Sequence, residues 1–282
     1  MQKKIAIVND ISGFGRCSVT VALPILSAMR IQCGVIPTAI LSNHTEYPDY
    51  SMLDFTPYMK EYLDKWNQLH LSFNGIYTGF LGSKEQLIII LDMLDCFSFS
   101  HIIVDPVMGD HGMIYDSYTK EMCDSMRKLV CHATLTTPNL TELCLLTNQK
   151  YHEHICATEV EKMCQTLAKN GPSHIIVTGI EQDDRIGNAI YENGNFDILY
   201  EKKVLPLRPG TGDVFASIIA GLSLHNIPLK EAVQTAARFI VTCLESSKKL
   251  NIPINDGVCF EEHLNILVQK TDTAAMQQPR HS

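Results

Sequence analysis

Residues Leu207–Gly221 read LRPGTGDVFASIIAG, with two glycines around a threonine, then an aspartate and a run of small apolar residues. Gly210 and Gly212 permit backbone conformations and a close ligand approach that a side chain would prevent. The small residues after Asp213 predict a thin helix that packs closely on a sheet. Because the first amides of a helix have no partner within it and lie at the positive end of its dipole, this turn predicts an anion site.

Asp213 lies at the edge of that anion site, and two interpretations of it are open. The carboxylate either caps the helix after a glycine turn, or it is a general base that takes a proton from a substrate hydroxyl. In the second case, the amides of Gly210–Gly212 would stabilise the charge on a transferring phosphoryl group.

The rest of the chain alternates short apolar runs with helical spacing. The apolar runs predict strands over 4–8, 34–40, 75–82, 101–107, 133–136 and 173–179. The helical spacing predicts helices over 18–30, 57–69, 83–95, 117–131, 139–147, 158–169, 212–225, 229–247 and 261–269. Asn193–Gly194 predicts the turn of a hairpin over 186–200. This alternation indicates an α/β fold in which helices cover both faces of a mostly parallel sheet. We expect one domain over residues 1–270 and a disordered tail over 271–282.

Composition limits the class of protein. With 23 Lys and Arg against 31 Asp and Glu, the net charge is −8, which argues against nucleic acid or an anionic membrane as the main partner. The ten cysteines include no Cys-x-x-Cys pair and are typical of a reduced cytosolic protein. A strand begins within a few residues of Met1, and no apolar run is long enough for a membrane span. We therefore expect a cytoplasmic protein.

Polar residues follow several of the predicted strands, where parallel sheets bind their ligands. Asp105 ends one strand, and TPNLTEL (137–143) places Asn139 and Glu142 on one face of a starting helix. Carboxylates at neighbouring strand ends suit a hydrated Mg²⁺, whereas helix capping is the alternative for Asn139 and Glu142. SNHTEY (42–47) suits hydrogen bonding to a small polar ligand, or is a plain loop. Cys17 follows Arg16, and a nearby cation lowers the pKa of a thiol, so Cys17 could be reactive. An inert core or surface cysteine is the favoured alternative.

Six segments, in this order, resemble the ribokinase-like superfamily and, within it, the pyridoxal/pyridoxamine kinases. They are SNHTEY, GIYTGFLGS, VDPVMGD, TPNLTEL, IIVTG and RPGTGDVFASIIAG, spread over roughly residues 4–250. The resemblance implies a three-layer α/β/α sandwich, usually a homodimer. It implies transfer of the ATP γ-phosphate to the 5′-hydroxyl of a vitamin B6 vitamer (pyridoxal, pyridoxine or pyridoxamine), with Mg²⁺ and often K⁺.

The resemblance also implies roles for individual residues. Asp213 matches the base, and the anion hole matches Gly210, Thr211 and Gly212. The acidic residues that hold ATP and Mg²⁺ match Asp105 and Glu142. Further nucleotide contacts are implied for Asn139, Thr178, Arg208 and Pro209, under a flap formed by 108–115. The resemblance also places six residues in the substrate pocket: Asp10, Ser12, Asn43, Thr45, Glu46 and Phe80.

Two positions depart from the pyridoxal kinase pattern. Phe80 stands where tyrosine is common, and Asp10, in NDISGFG, stands where many of these kinases have serine. The Asp-x-Ser-Gly arrangement is more similar to the hydroxymethylpyrimidine kinases. The Asp10 carboxylate would favour a cationic amine such as pyridoxamine, unless it only caps the nearby turn.

Three other functions are therefore weighed against a B6 kinase. A hydroxymethylpyrimidine kinase, or a dual enzyme, is the closest alternative. A sugar or nucleoside kinase usually carries an extra lid segment, and no insertion is visible between residues 9 and 42. A binding protein without catalysis would be expected to lose the base or the anion hole, and Asp213, Gly210 and Gly212 are all present.

Overall fold

The computed structural model describes residues 2–152, 154–169 and 171–277. Its strands are β1 (Lys4–Ser12), β2 (Gln32–Leu41), β3 (Met52–Asp54), β4 (Gly75–Thr78), β5 (His101–Val104), β6 (Gly109–Asp110), β7 (Met113–Ile114), β8 (Leu135–Thr136), β9 (His174–Gln182), β10 (Arg185–Glu192) and β11 (Asn195–Lys202). Nine of these strands form one sheet, in the order β11-β10-β9-β8-β5-β4-β1-β2-β3, and β6 and β7 form a separate hairpin.

The helices alternate with the strands along the chain. They are α1 (Val19–Ala28), α2 (Thr56–Gln68), α3 (Lys84–Cys96), α4 (Lys120–His132), α5 (Leu140–Thr147), α6 (Ala157–Ala168), α7 (Thr211–Leu224), α8 (Leu229–Lys249) and α9 (Leu264–Gln277). Two short 3₁₀ turns, Ile254–Asp256 and Glu261–His263, connect α8 to α9. None of the helices in the described ranges has the length and apolar character needed to cross a membrane.

Six neighbouring strands, from β9 through β8, β5, β4 and β1 to β2, run parallel. The remaining strands form antiparallel pairs with their neighbours: β3 with β2 at one margin, and β10 with both β9 and β11 at the other. The prediction of a mostly parallel sheet is therefore confirmed, and the carboxyl ends of six strands meet at one edge.

Both faces of the sheet are covered, which explains the uninterrupted apolar runs of its central strands. Ile5 and Ile7 of β1 pack on one face against α1, α7 and α8. Ala6 and Val8 of the same strand pack on the other face against α2, α3 and α4. A third cluster joins α5 and α6 to β9 and β10. The result is the predicted three-layer α/β/α sandwich.

Local signals in the sequence are found again at two turns. The Ser83 hydroxyl accepts a hydrogen bond from the Gln86 amide and caps α3, because that amide has no partner within the helix. Asn193 and Gly194 both take positive φ angles, of 51° and 86°, in the turn between β10 and β11. This is the conformation that a two-residue hairpin turn requires.

Three features of the structure were not predicted from the sequence. The strand β3 was not predicted, because it has only three residues and all of them are exposed. The predicted flap contains a small hairpin formed by β6 and β7. Helix α9 continues to Gln277, so residues 271–277 of the tail expected to be disordered belong to a helix. Thr271 is buried there and Asp272 pairs with Arg30. Residues 278–282 of that tail lie outside the described residues.

Helix α1 offers a matched test of the core that supports the carboxyl edge. Leu26 is fully buried between α1 and the sheet, whereas Leu23, on the same helix, is 39% exposed. We expect Leu26→Ala to lower the free energy of unfolding by about 2–5 kcal/mol, because it removes packing and leaves a cavity. Leu23→Ala should cost less than about 1 kcal/mol. Urea unfolding of both variants measures the difference, and equal losses would contradict this packing.

Candidate active site

The start of α7 lies near the carboxyl edge, because Asp213 interacts electrostatically with Asp10 of β1 and with Asp105 after β5. Gly210 is the N-cap of this helix, with φ 79°. A Cβ atom there would overlap the backbone carbonyl oxygen of Arg16, so this position requires glycine for its backbone angle and for its neighbour alike. The first helical bond runs from the Val214 amide to the Gly210 carbonyl at 3.0 Å. The amides of Thr211, Gly212 and Asp213 therefore have no partner within the helix.

Gly212 differs from Gly210 in what surrounds it. It is exposed, and a Cβ atom there would meet no atom within 4 Å. The protein itself thus leaves space above the first turn of α7, next to the free amides. That space lies where the sequence predicts an anion site.

Asp213 lies in the first turn of α7, and the capping interpretation of it is wrong because Gly210 is the N-cap. Burial raises the pKa of Asp213 to about 7, and the nearby Asp10 carboxyl adds to the rise. The Ser18 amide and the Asn9 side chain act in the opposite direction on this pKa, since they donate towards the ionised form. A carboxyl that titrates near neutral pH is suited to general-base catalysis.

Asp10 forms a buried cluster with two serines. Its carboxyl is 6% exposed and accepts a hydrogen bond from the Ser12 hydroxyl at 3.0 Å. Burial raises the pKa of Asp10, and hydrogen bonds from the Ser18 and Ser12 side chains partly offset the rise. The bond to Ser12 fits the turn-capping alternative, whereas the bond to Ser18 ties the carboxyl to the start of α1.

Asp105 and Glu142 are two further buried carboxyls on this edge. Burial, followed by the Asp213 carboxyl, raises the pKa of Asp105 to about 8, against a hydrogen bond from the Thr137 hydroxyl. Burial, followed by the Asp105 carboxyl, raises the pKa of Glu142 well above its usual range. No cation is among the groups that shift these two pKa values within the described part of the chain. A bound cation would offset this concentration of acidic groups.

Asn139 and Glu142 form the capping box that the sequence left as an alternative. The Asn139 Oδ1 accepts from the Glu142 amide at 3.0 Å, and Glu142 Oε2 accepts from the Asn139 amide at 2.8 Å. Asn139 Nδ2 donates to the carbonyl of Gly109 in the flap, and Glu142 Oε1 accepts from the Met108 amide. The Asn139 side chain thus joins α5 to the flap, which is a structural role that the sequence did not assign to it.

Arg208 also has a different position from the one the resemblance implies. Its buried guanidinium donates to the backbone carbonyls of Ile252, Pro253 and Gly257, at 2.7, 2.8 and 3.3 Å. The side chain therefore fixes the turn after α8 beneath the Pro209–Gly210 loop, rather than being free for a nucleotide. Thr178 stays at the strand edge, half-buried in β9, with its amide bonded to the Pro138 carbonyl at 2.9 Å.

The loop 42–47, which the sequence predicts to contact the substrate and which we call the substrate loop, is shaped by hydrogen bonds of its own side chains. Asn43 accepts from the Ser42 hydroxyl and donates to the Asp49 carbonyl at 2.9 Å, so its side chain shapes the loop. Thr45 and Glu46 are exposed. Phe80, predicted to lie in the same pocket, is half-buried, and its amide donates to Asn9 Oδ1.

A turn that the sequence did not single out anchors this loop. His44 is buried, and its Nε2 lies 2.6 Å from the carbonyl oxygen of Asn255. The Tyr47 hydroxyl donates to Asp256 Oδ1 at 2.8 Å. The turn Ile254–Asp256 therefore contacts the substrate loop on one side, and its neighbours Pro253 and Gly257 bind Arg208 on the other. Only tertiary contact brings these segments together, so the sequence carried no signal for it.

Asn9 and Cys17 are two further residues at the predicted site. Asn9 follows the apolar run of β1, which was the available signal, yet it was not assigned a role. For Cys17, the structure favours an inert thiol over a reactive one. Burial raises the pKa of the Cys17 thiol well above its usual range, and the Asp213, Asp10 and Glu46 carboxylates raise it further.

Comparison with known proteins gives the family. The phosphomethylpyrimidine kinase family profile matches residues 32–257. A pyridoxine/pyridoxal/pyridoxamine kinase from Bordetella avium is 28% identical over 264 residues, which cover 86% of each chain. A protein from Bacteroides thetaiotaomicron, assigned as a phosphomethylpyrimidine kinase, is 36% identical with a TM-score of 0.91 over 94% of this chain and 93% of that one.

A second form of the Bacteroides protein, crystallised with pyridoxal, is 34% identical with a TM-score of 0.88 over 96% of each chain. The pyridoxal kinase of Lactobacillus plantarum is 27% identical with a TM-score of 0.91, over 97% of this chain and 99% of that one. Because the family profile spans most of the sequence and the fold matches throughout, this chain belongs to the phosphomethylpyrimidine kinase family and has the ribokinase-like fold of the pyridoxal kinases.

Proposed function

We propose that this chain transfers the γ-phosphate of ATP to the 5′-hydroxyl of a vitamin B6 vitamer. The observation that carries the proposal is the Asp213 carboxyl, with a pKa of about 7, beside the free amides at the start of α7. Relatives that share the fold support the substrate class, since one is named for all three vitamers and another was crystallised with pyridoxal. A more distant structure with the same fold contains an ATP analogue.

In the proposed mechanism the vitamer hydroxyl donates a hydrogen bond to the ionised Asp213 carboxylate. As the hydroxyl oxygen attacks the γ-phosphorus, Asp213 takes its proton. The bond between the γ-phosphorus and the bridging oxygen breaks, and ADP leaves with that electron pair. The amides of Thr211, Gly212 and Asp213 stabilise the charge on the transferring group, and their fixed geometry needs no rearrangement during the reaction.

Asp105 and Glu142 fit a hydrated Mg²⁺. Their donors are the hard carboxylate oxygens that Mg²⁺ prefers, and their mutual repulsion is not offset by a cation of the described residues. Within those residues no group of three or more His, Cys, Asp or Glu side chains could hold a metal, so most ligands would be water and phosphate oxygens. Bound there, Mg²⁺ supplies neutralisation of the phosphate charge.

The closest alternative is a hydroxymethylpyrimidine kinase, which the family name and Asp10 favour. The same base and the same amides would serve it, because that substrate is also an alcohol on a heteroaromatic ring. Dependence on K⁺, a homodimer and a cytoplasmic location belong to the proposal on the family resemblance alone.

An ADP-release assay with ATP and Mg²⁺ tests the proposal on pyridoxal, pyridoxine, pyridoxamine and hydroxymethylpyrimidine in parallel. We expect turnover of at least one vitamer, and a loss of about 10²–10⁴-fold in kcat for Asp213→Ala. Binding of a non-hydrolysable ATP analogue should change little. Asp197→Ala, at an exposed surface pair with Lys230, is the control. Turnover of the pyrimidine alone would establish the alternative, and full activity of Asp213→Ala would overturn the mechanism.

The two glycines of the anion site give opposite expectations for stability. Gly212→Ala should leave the melting temperature unchanged or raise it, since the site is open and alanine favours a helix by about 1 kcal/mol. Its methyl group would displace the phosphoryl group, and we expect kcat to fall about 100-fold. Gly210→Ala should lose activity and stability together, because of its φ angle and the Arg16 carbonyl. Thermal melts with parallel assays separate the two, and normal kcat in Gly212→Ala would place the phosphoryl group elsewhere.

Asp10 is expected to select among the vitamers. Because its carboxylate would pair with the amine of pyridoxamine but not with the aldehyde of pyridoxal, Asp10→Ser should lower the ratio of kcat/KM for pyridoxamine over pyridoxal about tenfold. Any effect of Asp10 on Asp213 applies to both substrates and cancels in this ratio. An unchanged ratio would leave Asp10 as a turn cap.

A further inference from the structure

The side-chain amide of Asn9 has a fixed orientation. Asn9 lies within β1 and is 1% exposed, and its Oδ1 accepts from the Asp10 amide at 3.0 Å and from the Phe80 amide at 2.8 Å. A reversed amide would point its NH₂ group at these two N–H donors, which excludes the reversed form. Nδ2 must therefore face away from both, across the backbone of Gly79, where a Cβ atom would overlap it.

The Asn9 NH₂ group is a buried donor without an acceptor among the described residues. Nδ2 makes no hydrogen bond of ordinary length to any described residue, although it is buried. The Asn9 side chain nevertheless lies close enough to the Asp213 carboxylate to lower the pKa of that group. A buried donor without a partner is costly, so it needs an acceptor in the working enzyme.

The other groups around Asp213 do not provide a balancing charge. The titratable groups that face it are Asp10 of β1, Cys17 before α1, Tyr77 of β4, Asp105 after β5 and Tyr115 after β7. None of these is a cation, and the Ser18 amide is the other donor to the carboxylate among the described residues.

We propose that Asn9 is the positioning residue of the base, and that its NH₂ group donates to the Asp213 carboxylate and holds it ionised and oriented towards the substrate hydroxyl. The role of Asp213 as base belongs to the function proposed above, on which this inference rests. The donor opposes the burial and the acidic neighbours, which favour the protonated carboxyl. Without it, Asp213 would be protonated over more of the neutral range and could not accept the substrate proton.

The test is Asn9→Ser, which removes the NH₂ group and leaves a hydroxyl near the backbone amides. Losing a donor to the ionised form raises the pKa of Asp213, and we expect the acidic limb of the kcat/KM profile to move up by about one pH unit. With a starting pKa of about 7, kcat/KM at pH 7 should fall about fivefold and recover by pH 9. KM for ATP should stay within about twofold. A loss that is equal at every pH would indicate damage to the fold and overturn the proposal.

A control for the same substitution is Asn74, which contacts the amino end of β1. Asn74 Oδ1 accepts from the Lys4 amide at 2.8 Å, at the amino end of β1, so Asn74→Ser makes the same change away from the site. Its pH profile should match that of the unmodified protein.

Titration of the labelled aspartate carboxyls by ¹³C NMR separates this inference from the proposed function, because it does not depend on turnover. The Asp213 signal is assigned with Asp213→Asn, and its titration should move upward in Asn9→Ser. If Asn9→Ser does not fold, Asn9→Asp keeps an oxygen that accepts from both backbone amides and introduces a second carboxyl near Asp213. They should then titrate in two steps, the upper one above the unmodified Asp213. An unmoved Asp213 titration in either variant refutes the Asn9 role, whereas full turnover of Asp213→Asn refutes only the base.

Discussion

The close approach of the Arg16 carbonyl to Gly210 is the constraint on which the active edge depends. It fixes the backbone at the start of α7, so the free amides and Asp213 have one position relative to β1. A second glycine on the same contact, Gly257, takes a φ of 81°, and a Cβ atom there would lie 3.0 Å from Arg16 Cβ and 3.2 Å from the Pro209 carbonyl. Three chain segments thus meet through backbone at a place where a side chain would separate them.

Around this junction the protein concentrates acidic groups with raised pKa values. Asp10, Asp105, Glu142 and Asp213 are held by hydroxyls and backbone amides rather than by ion pairs. Such an arrangement lowers the stability of the free protein, because burial opposes the charged form of each carboxyl. It is favourable when cations and polar substrate groups are bound, which is why perturbed carboxyls of this kind gather at functional sites.

The sequence predicted the parts of the structure that depend on local pattern. Apolar runs located the parallel strands, Ser83 located a helix start, and Asn193–Gly194 located a hairpin turn. The sequence did not predict the positions of residues that depend on contacts with distant parts of the chain. Thr271, in the tail expected to be disordered, is buried, and Arg208 is directed by carbonyls some 45 residues away in the chain. Asn9 could be placed at the edge from the strand pattern, but only the fold shows which way its amide faces.

In the proposed function, the part of the edge that selects the substrate differs from the part that carries out the chemistry. The base and the amides of α7 would accept any alcohol presented to them, so they do not distinguish a pyridine from a pyrimidine. There, discrimination between the rings falls to Asp10 and to the loop 42–47, and the position of that loop depends on His44 and Tyr47 bonding to the turn Ile254–Asp256. That turn is fixed in its place by Arg208, two residues before Gly210. A change in substrate preference can therefore arise at the turn after α8, without contact with the substrate, because the same turn supports the loop and the start of α7.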